Sequence, residues 1–69
     1  MEFSAKKHKI VVTSYMRSKT DVGIFNVSGL CVANFTINPG ETIETPVNTS
    51  GVYIIRAAGG HYTKKVTIK

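Results

Sequence analysis

Four turn-forming pairs, Ser28-Gly29, Pro39-Gly40, Ser50-Gly51 and Gly59-Gly60, cut the chain from residue 28 onward into segments of strand length. Between them β-branched and aromatic residues are spread throughout, and no stretch repeats apolar residues at three and four. A helix needs that repeat, so the chain reads as all-β. Six strands are expected: "KIVVTSY" (9–15), "TDVGIFNV" (20–27), "LCVANFTI" (30–37), "TIETPV" (42–47), "VYIIRAA" (52–58) and "HYTKKVTIK" (61–69). Asn38-Pro39-Gly40-Glu41 suits a type II turn, with fixed φ at the proline and positive φ at the glycine. Pro46 cannot donate to a ladder, which places 42–47 at a sheet edge. The architecture expected is a small antiparallel Ig-like β-sandwich of about six short strands over residues 10–69. Residues 1–9, rich in lysine, are expected to be a disordered or vector-derived tail.

A chain of 69 residues has room for one domain and a modest core. Its one cysteine, Cys31, forbids an internal disulfide, and no Cys/His cluster suggests a zinc site. The fold therefore rests on apolar packing alone, on a partner, or on a longer parent chain.

The closing hairpin can be read in register. If Gly59-Gly60 is its turn, Ala57 faces Tyr62, Ile55 faces Lys64 and Tyr53 faces Val66. Tyr53, Ile55, Ala57, Tyr62, Val66 and Ile68 then share an inner face, apolar except for Lys64. Val52, Ile54, Arg56, Lys65 and Lys69 lie among the residues of the other face. The 22–37 hairpin is apolar on both faces, so its strands are either central or covered by something outside this chain. Cys31, on the face of Val22 and Ile24, is expected as a small buried hydrophobe.

Catalytic chemistry finds no foothold. The acids are Glu2, Asp21, Glu41 and Glu44, and the histidines are His8 and His61. None forms a spacing that suggests an acid–base pair, a nucleophile with its base, or a phosphate loop. The expectation is a non-enzyme with no cofactor and no metal. The net charge of +5 allows weak attraction to polyanions. With Tyr53 and Tyr62 expected inward, no aromatic is expected on the basic face to stack bases, which argues against specific nucleic-acid binding. No apolar run is long enough for a membrane-spanning helix.

One ordered combination is more specific. "IFNVSGLCV" (24–32) is followed by "GVYIIRA" (51–57) and then by "TKKVTIK" (63–69) at the end of the chain. This resembles the C-terminal sorting domain of proteins carried by the type IX secretion system of Gram-negative bacteria. Gly51, Tyr53, Lys64, Lys65, Val66 and Lys69 fall on the places of that pattern, as does Gly29. The Asn-Pro segment that often precedes the family's first strand is absent ahead of residue 10. The resemblance implies a non-catalytic signal module behind an N-terminal cargo domain that lies outside this chain. It implies recognition by the outer-membrane type IX machinery, in the periplasm, in transit to the outer-membrane surface or the medium. The alternative expectation is an Ig-like binding module of a cell-surface protein, for a protein or an acidic glycan, with no sorting role.

Overall fold

A computed structural model describes all residues from Met1 to Lys69. Seven strands form: β1 (Glu2–Lys6), β2 (Lys9–Thr13), β3 (Thr20–Asn26), β4 (Cys31–Ile37), β5 (Thr42–Pro46), β6 (Gly51–Ala57) and β7 (Tyr62–Ile68). They build a three-stranded sheet, β1-β2-β5, and a four-stranded sheet, β4-β3-β6-β7, antiparallel throughout. The chain changes sheet after β2, after β4 and after β5. This is an Ig-like sandwich order, with β4 added beside the β3-β6-β7 trio.

The core holds the expected Tyr53, Ile55, Ala57, Val66 and Ile68 and adds residues from the other strands. Ile10, Val12, Val22, Ile24, Ile37, Val47, Tyr53, Ile55, Ala57, Val66 and Ile68 form a single buried cluster. Alternation explains it: each strand sends every second residue inward. Pro39-Gly40 makes its turn, with the Glu41 amide donating to the Asn38 carbonyl at 3.0 Å and Gly40 at φ 77°. That turn is fixed to the end of β2, because the Ser14 amide donates to Glu41 and the Gly40 amide donates to Ser14. β5, with Pro46, is an edge strand as expected.

Three expectations change. Residues 1–9 are not a disordered tail: Glu2–Lys6 pair with Lys9–Thr13, and Phe3 packs against the core. The polar "SAKK" hid this strand, since only Phe3 and Met1 carry its apolar contact. Tyr62 keeps its register opposite Ala57 but is exposed, because it is the last pair of its ladder, beside the Ala58–Gly60 turn. Cys31 is exposed as well. Ile24 pairs with Ala33 and Phe25 with Cys31, so Val32 is an extra residue in β4. The bulge reverses the alternation there and turns Cys31 to the outer face, level with Phe25.

Candidate functional site: the last strand and its outer face

The β6–β7 ladder runs Gly51↔Ile68, Tyr53↔Val66, Ile54↔Lys65, Ile55↔Lys64 and Ala57↔Tyr62, which is the register expected from the sequence. β7 pairs with β6 on one side and with nothing on the other. It is therefore an edge strand of its sheet, with β1 of the other sheet lying close beside it.

The six residues singled out by the sequence divide into two groups. Gly51, Tyr53 and Val66 hold the strand. Gly51 opens β6 at φ 145°, a backbone region that residues with a Cβ rarely adopt. Tyr53 is buried against Val66, its cross-strand partner, and its hydroxyl donates to the Thr49 carbonyl at 2.6 Å. Lys64, Lys65 and Lys69 are all exposed. Lys65 points away from the core. Lys64 occupies an inner-face register position but lies at the open mouth of the sandwich, beside Met1, Phe3 and Thr13. Lys69 follows the strand, next to Lys6 and Lys7 around a shallow depression.

The ion pairs of the chain are Lys6–Glu44 at 3.3 Å and Lys9–Glu44 at 3.5 Å, both on the three-stranded sheet. The hydrogen bond and charge of Lys6, then those of Lys9, hold the Glu44 carboxyl below its ordinary range. Lys64, Lys65 and Lys69 form no ion pair, and Glu2 shares the opening that Lys64 borders.

The outer face of the four-stranded sheet adds groups that sequence reasoning missed. Cross-strand neighbours form a row, Cys31–Phe25–Ile54–Lys65, and a second, Asn34–Gly23–Arg56–Thr63. The Phe25 ring lies over Gly23, where a Cβ would sit 2.9 Å from the ring. An aromatic thus does lie on the basic face, contrary to expectation. The signal was present in "GIF": a glycine two residues before an aromatic on the same face leaves room for the ring. Arg56 reaches toward Gly60 and has no acidic partner.

No three His, Cys, Asp or Glu side chains gather where a metal ion could be held. No helix is long and apolar enough to cross a membrane. No family model, no curated protein and no solved structure matches the chain.

Proposed function

We propose that this domain is a non-catalytic sorting module of an exported bacterial protein, read by type IX secretion machinery through its last strand. One observation carries the reading: β7 is built into the sandwich by pairing on one side only, and its lysines and Lys69 form no ion pair. A receptor strand can add to such an edge, gaining main-chain hydrogen bonds, while the side chains on either face provide selectivity. Gly51, Tyr53 and Val66 hold β6 and β7 together, and Lys64, Lys65 and Lys69 are what the receptor meets. On this reading the domain follows a cargo domain and acts in the periplasm, on the way to the cell surface.

The test is a fusion of the whole 69-residue chain to a periplasmically exported reporter in a type IX-competent host. The intact fusion is expected at the cell surface. Lys64→Ala/Lys65→Ala is expected to fold and to accumulate in the periplasm. Equal surface delivery of both removes the lysines from the signal. A second reading, an Ig-like binding module for a protein or acidic glycan, draws on Arg56 beside the Phe25 ring. It takes precedence if the intact fusion stays periplasmic.

A further inference from the structure

From Val22 through Gly40 the chain contains no Asp, Glu, Lys or Arg, although 13 of its 69 residues are charged (9 Lys and Arg plus 4 Asp and Glu). This uncharged run covers β4, its flanking turns and all of β3 after Asp21, whose carboxylate accepts from the Thr36 hydroxyl at 2.9 Å. β4 is an edge strand, paired with β3 alone. Natural sheets protect their edges with lysine, proline or short length. The other three edges here follow that rule: β7 carries Lys64 and Lys65, β5 carries Glu44 and Pro46, and β1 carries Lys6. β4 has only the bulge at Val32, and Ala33–Ile37 beyond it is regular strand. Exposed apolar groups gather at the same place: Val27 is 72% exposed, Leu30 66% and Val32 47%.

An uncharged edge of this kind selects its partner by charge. On the edge strand itself an incoming lysine or carboxylate meets no charge, and the one carboxylate beside it is Asp21, at Thr36. The matching uncharged edge that this protein itself provides is β4 of another copy. We infer that two copies of the chain associate through β4, antiparallel about a two-fold axis, joining their four-stranded sheets into one. An isologous pairing makes each copy supply both halves of the contact. With Phe35 opposite the Phe35 of the second copy, Ala33 meets Ile37 on the inner faces and Asn34 meets Thr36 on the outer faces. The half-buried Phe35 and Ala33 would complete their burial in this way. Two domains of net charge +5 repel at long range, and this edge is where they meet without facing lysines. The β7 edges stay free at the far ends of the joined sheet, so the inference stands independently of the sorting proposal.

Sedimentation velocity on the intact chain, from micromolar to millimolar concentration at physiological salt, tests this. A monomer–dimer equilibrium is expected. Val32→Lys/Asn34→Lys, which places charge on β4, is expected to sediment as a monomer with an unchanged far-UV spectrum. Lys64→Ala/Lys65→Ala is expected to dimerise at least as well as the wild type. Hydrogen exchange on the unaltered chain asks the same question without a substitution: β4 amides should gain protection as concentration rises, and β7 amides should not. A wild type that stays monomeric throughout overturns the inference. So does a dimer that tolerates both lysines, or one whose concentration-dependent protection falls on β7.

Discussion

The hydroxyl of Tyr53 donates to the backbone carbonyl of Thr49 across 2.6 Å, at the corner where the chain leaves β5 in one sheet and enters β6 in the other. The ring is buried in the core and its polar tip ties down the loop, a device found in other Ig-like sandwiches. Tyr53→Phe keeps the ring and leaves the Thr49 carbonyl without this donor. It should cost about 1 kcal/mol. Tyr53→Ala also opens a cavity beside Val66 and should cost about 3–5 kcal/mol. Urea titration of the three proteins checks both values. An unchanged midpoint for Tyr53→Phe would show that the hydroxyl contributes nothing to the corner.

Gly51 isolates a backbone effect. Nothing lies within 4 Å of where its Cβ would be, so Gly51→Ala creates no clash. Its φ of 145° remains unfavourable for alanine. The substitution should destabilise the domain by about 1–3 kcal/mol, all of it conformational. Thermal unfolding reads this directly, because each kcal/mol moves the midpoint of so small a domain by about 4–8 °C. A wild-type midpoint would mean that β6 can start in an ordinary extended conformation.

The pairing of β1 should depend on pH from both sides. Glu44 has its folded pKa lowered, first by the hydrogen bond from Lys6 on β1. Its contribution is present above the ordinary glutamate value and is lost as pH falls through the lowered one. Tyr15 donates to Glu2 on β1 at 3.0 Å, and that bond raises its pKa. Its contribution is present below the ordinary tyrosine value and is lost as pH rises through the raised one. Both pairs are exposed, so the effects are small and weaken with salt. NMR titration should place the Glu44 carboxyl below that of an unpaired glutamate at low salt and bring it back toward that value at high salt. Lys6→Gln should remove most of the difference. An unshifted Glu44 would mean that the lysines do not hold it in solution.

The thiol of Cys31 should react in the folded state. It lies on the outer face, where it donates to the Ala33 carbonyl and accepts from the Asn34 amide. A chromogenic aromatic disulfide reagent should titrate one thiol per chain without denaturant. Protection until unfolding would return Cys31 to the core and remove the bulge at Val32.

Cys31 also marks the boundary of what the sequence could reveal. In β6 and β7 strict alternation with a single turn leaves one register that buries Tyr53, Ile55, Val66 and Ile68, and it was legible in full. In β4 the same reasoning carried Cys31 inward, because one extra residue reverses every side chain before it and leaves no mark in composition. β1 was illegible for a different reason. Its stability comes from pairing with β2 and from Phe3, whereas its other side chains read as solvent-facing. The lysines of the candidate site were legible as positions. Their freedom from ion pairs was not, since it depends on Glu44 lying in the other sheet.

Lys64 offers a last test of what that strand is for. Its register aligns it with Ile55 on the inner face, and it borders the opening formed with Met1 and Phe3. A β-branched apolar residue fits that position better than lysine, both in strand preference and in contact with Phe3. Lys64→Val should therefore raise stability by about 0.5–2 kcal/mol, the range of a useful cavity-filling or edge-improving change. Lys65→Val, on the solvent side opposite Ile54, should change it by less than about 0.5 kcal/mol. If Lys64→Val gains stability and loses surface delivery in the fusion, the lysine is kept at a cost to the fold and serves recognition. If it gains stability and loses solubility instead, the lysine guards the edge against self-pairing. No gain in stability would mean that the mouth of the sandwich already accommodates Lys64, its stem lying along Phe3 and its ammonium in water.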